Sequence, residues 1–295
     1  MANITTSTNL FPKELVTEVL KKVKGHSSLA KLSGQSAIPF AGMTQMVFSM
    51  DGEVSLVGEG EQKPAGDAAF KPVTITPVKM VYQHRMTDEF VKMSEEQQLP
   101  YLQAFTDGFA AKLARGLDIA AFHGVNPATG RAAESLASKN FDMASVGKIE
   151  TTAGAEDDDI DSAVQLIAAA DGTVTGMAMA PAFGASLAKI KVNGVVQYPE
   201  FRFGQNPDAF YGMNSDVNNT VSFGTSNDLC IIGDFADAFK WGYVENVPCE
   251  IIQYGDPDGL GDLKRQNQIV LRAEAYIGWG ILDASLFKRI TKKAS

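Results

Sequence analysis

The sequence predicts a mixed α+β fold. Three observations lead there. From Thr44 to Leu56 and from Val73 to Met86, on either side of a Gly- and Pro-rich tip, and again from Ile269 to Leu282, residues alternate with the period of two that a half-buried strand requires. Between these runs, Leu102, Phe105, Phe109, Leu113 and Leu117 recur three or four residues apart, the spacing of one helix face.

The 295 residues suffice for one large domain or two medium ones. Hydrophobic residues make up 45% and charged residues 21%, as in ordinary globular proteins. No apolar run approaches the roughly 20 residues of a membrane span. The N-terminal MANITTSTNLF has neither the basic region nor the apolar stretch of a secretory signal, so synthesis in a cytoplasm is expected. A net charge of −9 argues against a duplex-binding domain, which carries a basic footprint. Only the ends are basic: residues 13–31 hold five Lys against two Glu, and Lys288, Arg289, Lys292 and Lys293 lie near the other end. These read as a solvated helix face and tail. Cys230 and Cys249 form no CxxC and have no His at ligand spacing, so two buried free thiols are expected.

Taken in order, residues 12–24 (PKELVTEVLKKVK) predict a short amphipathic helix, with Pro12 at its first position and Leu15, Val19 and Val23 on one stripe. A helix this short is marginal alone and needs a surface to dock on. From Thr44, Met46, Phe48, Met50, Val54 and Leu56 share one parity, interrupted at Asp51-Gly52 by a tight turn or bulge. A Gly- and Pro-rich tip, VGEGEQKPAGDAAFKPV, carries Lys63-Pro64 at its centre. A second strand is predicted from Val73 to Met86, its apolar parity flipping near Pro77, which cannot donate to a ladder. A two-stranded ribbon is marginally stable by itself, so another subunit is expected to supply the surface it lies on.

Thr87 is placed to cap the next helix, with Asp88 and Glu89 in its first turn. The long helix is expected from near Pro100 to about Phe122, lying along a sheet. AEDDDID, residues 155–161, reads as a solvated acidic linker into the helix DSAVQLIAAADG. GMAMAPAFGASLAKIK reads as a buried strand and then a helix with Pro181 near its start, and DLCIIGDFADAFKWGYV as strand, turn, strand. Asp256, Asp258 and Gly259 echo a calcium loop but lack its closing Glu. In the last run Ile269, Leu271, Ala273, Ala275, Ile277, Trp279 and Ile281 share one face, and Asp283 then caps a short terminal helix.

No catalytic motif is found. His26, His84 and His123 lie outside HExxH and outside any arrangement that activates a Ser or Cys. There is no GxSxG, no GxGxxG after a strand and no Walker A, so neither an enzyme nor a cofactor or metal site is expected.

The order of features resembles the major capsid proteins of tailed phages, with the Hong Kong 97-type fold. The resemblance is carried by GEGEQKP followed by FKPVTITPVKM, by FHGVNPATG after the long helix, by MAPAFGASLAKIKVNGVVQYP, by IIGDFADAFKWG and by NQIVLRAEAYIGWGILDASLF, in that order across residues 30–290. It implies an N-terminal arm over 1–33 and a first part of a peripheral domain over 34–155. That part would hold an extended hairpin loop over 44–86 and a spine helix over about 100–122. It implies an axial domain over 156–262, and a returning strand and C-terminal helix over 263–295.

The same resemblance implies a subunit that self-assembles as hexamers and pentamers into an icosahedral head around double-stranded DNA. It would be assembled in the host cytoplasm and reside in the virion, with no cofactor and no membrane contact. Implied partners are a portal protein, a decoration protein, a separate scaffolding protein and packaged DNA touched weakly and non-specifically. Either the scaffolding protein is separate or the chain is already in its mature form, and Met1 standing just before the arm favours the first. An encapsulin-like nanocompartment shell is the alternative. Glu59, Glu61, Lys63, Lys71 and Arg85 become intersubunit contact candidates. In the family's prototype a hairpin lysine bonds covalently to an asparagine at the start of another subunit's returning strand, with a glutamate on that strand as base. By motif matching these roles fall on Lys63, Asn267 and Glu274. The plainer reading is an intersubunit ion pair for Lys63 and a strand-face salt bridge for Glu274 with Arg272 or another cation.

Overall fold

The computed structural model describes residues 27–51, 54–244 and 249–293. The helix expected over 12–24 lies outside them, as does Gly52 of the Asp51-Gly52 turn. The described chain starts with a short helix, α1 (Ser28–Leu32), and an antiparallel ribbon of β1 (Met43–Asp51) and β2 (Asp67–Ile75) joined through a long tip. Then come β3 (Val78–Thr87), the one-turn α2 (Glu89–Lys92) and the long α3 (Glu95–His123). After β4 (Gly147–Thr151), α4 (Glu156–Ala168), β5 (Gly176–Met179) and α5 (Pro181–Leu187), small strands follow: β6 (Lys191–Val192), β7 (Val195–Val196), β8 (Ala209–Phe210) and β9 (Met213–Val217). The chain closes through β10 (Asp228–Gly233), β11 (Phe239–Tyr243), β12 (Cys249–Ile252), β13 (Gln268–Ile281) and β14 (Phe287–Lys292).

Two sheets organise these elements. In the first, β13 is central and antiparallel to all its neighbours: β3 over Gln268–Ile277, β12 over Val270–Ala273 and β11 over Ile277–Ile281. Its alternation has the expected cause, because Leu271, Ala273, Ala275 and Ile277 are buried in the core shared with α3 while Arg272, Glu274 and Tyr276 are only half-buried. The second sheet runs β4-β14-β10-β5-β9-β8. It is covered on both faces. Ala178 and Ile231 enter the core shared with α3, and Met177, Met179, Cys230, Ile232 and Ile290 enter a second core with α4 and α5. Aromatic rings join the two sheets: Phe141 stacks 5.0 Å from Phe287, 5.6 Å from Phe239 and 5.9 Å from Phe122.

Several expectations hold. Pro181 opens a helix directly after a buried strand, residues 228–243 form strand, turn and strand, and both cysteines are free and buried. α3 ends on Gly124 at φ 63°, the left-handed stop that glycine supplies without strain.

Other expectations change. The strand expected from Val73 to Met86 is two strands, broken at Thr76-Pro77, where the parity flips. β2 stays in the ribbon, and β3 turns into the body to pair with β13. The ribbon therefore ends at Ile75, not at Met86. Its root is pinned: Lys139 Nζ donates to the Thr76 carbonyl at 3.1 Å and to the Thr76 hydroxyl. Ile75 is fully buried on Gly278 and Gly280 of β13, and a Cβ at Gly280 would come within 2.9 Å of Ile75 Cγ1. Those two glycines in the returning strand make room for the root.

The long helix starts at Glu95 rather than Pro100, behind a Ser94–Gln97 capping box. Pro100 is exposed on the second turn of the helix, where it supplies no N–H to the Glu96 carbonyl. Thr87 ends β3 and caps nothing; Asp88 precedes α2 instead. The acidic run is not a linker. Glu156 to Asp159 form the first turn of α4, where the helix dipole favours carboxylates. The terminal helix is only a turn over Ala284–Leu286, with Asp283 Oδ1 accepting from Ser285 N at 2.9 Å. Lys288 and Arg289 then lie on β14, a strand of the second sheet between β4 and β10, because Phe287 and Ile290 bury there.

Candidate functional site

The ribbon is the candidate surface. Its register places Met46 opposite Pro72 and Phe48 opposite Phe70 on one face, and Val47 opposite Lys71 on the other. The two phenyl rings lie 4.7 Å apart across the strands. Among the described residues nothing covers this face: Met46 is 62%, Phe48 48% and Phe70 63% exposed. At the tip Val54 and Leu56 are fully exposed. Glu61 folds the tip onto itself, its carboxylate accepting from Gly58 N at 3.0 Å. Glu59, Lys63 and Lys71 point to solvent.

Arg85, expected at a subunit contact, is spent inside the chain. Its Nη1 donates to Gln266 Oε1 at 2.7 Å and to Gln268 Oε1 at 2.9 Å, and its Nη2 donates to the Gly261 carbonyl at 2.8 Å and to Asp256 Oδ1 at 3.2 Å. Its Nε donates to both oxygens of Asp258. The loop that echoed a calcium site thus does face a cation, and that cation is a guanidinium. These hydrogen bonds hold the Asp258 carboxyl below its usual range and raise the Arg85 pKa.

Within one chain the structure does not bring Lys63, Asn267 and Glu274 together. Asn267 is exposed at the start of β13 with φ 53°. Glu274 lies seven residues along the same strand, roughly 23 Å away, and is ion-paired with Lys79 at 2.7 Å. The salt-bridge expectation for Glu274 therefore finds its cation in Lys79, while Arg272 pairs with Glu250 at 3.4 Å.

Sequence reasoning missed a buried polar network at the end of α3, which is buried on all sides from Gly116 to His123. Asp118 is fully buried and, among the described residues, carries no ion pair. It accepts from Ser27 Oγ at 2.5 Å, Ser28 N at 2.9 Å, Leu29 N at 3.3 Å, Thr220 Oγ1 at 3.1 Å and Asn218 Nδ2 at 3.4 Å. The carboxylate thereby holds the start of α1, where the chain enters the body. Burial pushes its pKa up to about 6, against the pull of the hydrogen bonds from Ser27, Ser28, Leu29 and Thr220. The signal was present in the sequence, as an Asp and a His inside the apolar run GLDIAAFH.

This architecture matches known proteins. The phage capsid family matches residues 8–292, and the chain belongs to that family. A solved structure from Mycobacterium phage Ogopogo is 32% identical, covers 91% of this chain and 92% of its own, and has a TM-score of 0.77. One from Gordonia phage Cozz is 23% identical over 92% of this chain and 87% of its own, with a TM-score of 0.75. A structure described as the capsid of an empty GTA particle is 14% identical over 91% and 90%, with a TM-score of 0.64. The last two show the fold alone. Comparison with curated proteins found no match. The fold is of the Hong Kong 97 capsid type, and the chain is a major capsid protein of a phage head that self-assembles into the shell of the virion. The encapsulin-like alternative is not favoured by these matches. Among the described residues no helix is long and apolar enough to cross a membrane.

Proposed function

We propose that the β1–β2 ribbon of each subunit lies on a neighbouring subunit, and that repeating this contact forms the hexamers and pentamers of an icosahedral head around double-stranded DNA. The uncovered apolar face of Met46, Phe48, Phe70 and Pro72 supports this most directly. A lone two-stranded ribbon is marginal in water. Burying each large side chain against a neighbour contributes about 1.5–3 kcal/mol. The same contact made by every copy in a ring adds through avidity.

On this proposal α3 with the first sheet forms the peripheral domain and the second sheet with α4 and α5 the axial domain, so that β4 and β14 join the axial domain from outside the expected 156–262 and β11 and β12 leave it, while the ribbon is the extended loop. Glu59, Lys63 and Lys71 meet the neighbour as charges, with Lys63 in an ion pair. The subunit is structural rather than enzymatic. Portal, scaffolding and decoration proteins and loosely held DNA are its partners. Electron microscopy of the purified protein tests the assembly: closed shells or hexameric and pentameric rings are expected, and a persistent monomer at high concentration overturns it. Nuclease-protected DNA inside mature particles is the expected sign of packaging.

A further inference from the structure

Four side chains from four segments meet where α3 ends: His123 at its last residue, Asp142 in the following loop, Asp228 at the start of β10 and Arg289 on β14. His123 and Asp228 are buried, and Arg289 nearly so. Counting donors and acceptors places a proton among them. His123 Nε2 lies 2.9 Å from the Thr220 carbonyl oxygen, which only accepts, so Nε2 carries hydrogen. His123 Nδ1 lies 3.1 Å from Asp142 Oδ2 and 3.9 Å from Asp228 Oδ2. A neutral ring would turn a bare lone pair toward two carboxylates. One further proton, on Nδ1 or on a facing carboxyl, removes that conflict.

Charge gives the same answer. Arg289 Nη1 bonds Asp142 Oδ1 and lies 3.2 Å from each Asp228 oxygen. With the extra proton the cluster is neutral. Without it, one guanidinium faces two carboxylates and an uncompensated negative charge stays buried. The other titratable group beside Asp228 is the buried thiol of Cys230, two residues along β10, which burial keeps protonated. Through Thr220 the cluster also touches Asp118 and so the start of α1: the Thr220 carbonyl accepts from His123 and its hydroxyl donates to Asp118.

We propose that this cluster is a proton-held latch: one buried proton fastens the end of α3 to β10 and β14, and its release at alkaline pH loosens the joint between α3 and the second sheet. The direction of titration agrees. Burial, with Asp142 adding, raises Asp228 to about 7. Burial alone would lower His123, but Asp142, the Thr220 carbonyl and Asp228 together raise it. Both shifts mean that the folded chain holds the proton more tightly than the unfolded chain. The His123 contribution is complete below its unfolded value of 6.5 and is lost as pH climbs through the folded value. The Asp228 contribution has the same sign, its loss running from 3.8 up through about 7.

The test uses assembled shells of the full chain, unfolded by heat at pH values from about 6 to about 9. Asp228→Asn is permanently neutral and has no proton to release. The wild type is expected to lose about 3 °C or more of Tm relative to this variant across the window, while His84→Gln, at an exposed residue of β3 outside the cluster, follows the wild type. Parallel profiles for wild type and D228N overturn the proposal. If D228N fails to assemble, solid-state NMR of wild-type shells with 15N-histidine and 13C-aspartate decides. A protonation change is expected at the His123 ring or the Asp228 carboxyl, assigned by the signals lost in His123→Gln shells or by their coupling. No change at either group across the window overturns the latch.

Discussion

Arg85 on β3 and Asp258 on the loop before β13 form a forked ion pair, Arg85 Nε reaching the two carboxylate oxygens at 2.9 and 2.7 Å while Nη2 reaches Oδ1 as well. The fork fixes the loop of residues 256–261 against the edge of the first sheet, together with Gln266 and Gln268. Lysine keeps the charge but cannot fork. Arg85→Lys is therefore expected to lower the urea midpoint and to speed limited proteolysis near Gly259–Gly261. Wild-type cleavage rates in the variant would show that the loop holds itself.

Phe48 and Phe70 stack on each other and, among the described residues, on no other ring. Phe48→Ser with Phe70→Ser should leave subunit stability within about 1 kcal/mol of wild type, as for surface changes, while abolishing shells. Sedimentation velocity separates the two effects. Shells forming normally from the double variant would remove the ribbon from the contact.

Asp118 gathers donors from α1, the loop at Asn218 and Thr220 around one buried carboxylate. Asp118→Asn sets an amide N–H against some of those donors and leaves them unpaired. A loss of about 2–3 kcal/mol is expected from such unmet groups, read as a shift of the urea midpoint with unchanged slope. A loss below about 0.5 kcal/mol would mean that water replaces the carboxylate at no cost.

Asn267 just before β13 and Glu274 on it stand seven positions apart, so the two of one subunit cannot both serve a single Lys63. Mature particles boiled in detergent are expected to run as one band near 31.6 kDa. A ladder of multimers that collapses in Lys63→Ala particles would replace the ion pair with a covalent link.

The sequence by itself determined the elements whose cause is local. Period two marked β13, the 3.6-residue stripe marked α3, and Pro77 marked the flip of parity where the structure breaks β2 from β3. The family, too, was legible from the order of these motifs. Tertiary structure decided what depends on residues far apart in the chain. β3 leaves the ribbon because β13 offers it a ladder, Gly278 and Gly280 open because Ile75 must pass, and the C-terminal residues become a strand because β4 and β10 leave a slot between them. Polar residues depended on this most. Neither the periodicity around Arg85, Asp118 or His123 nor their spacing names Asp258, Ser27 or Asp228 as partners. A buried charge is held by whatever the fold brings within about 3 Å, and sequence distance says nothing about which groups those are.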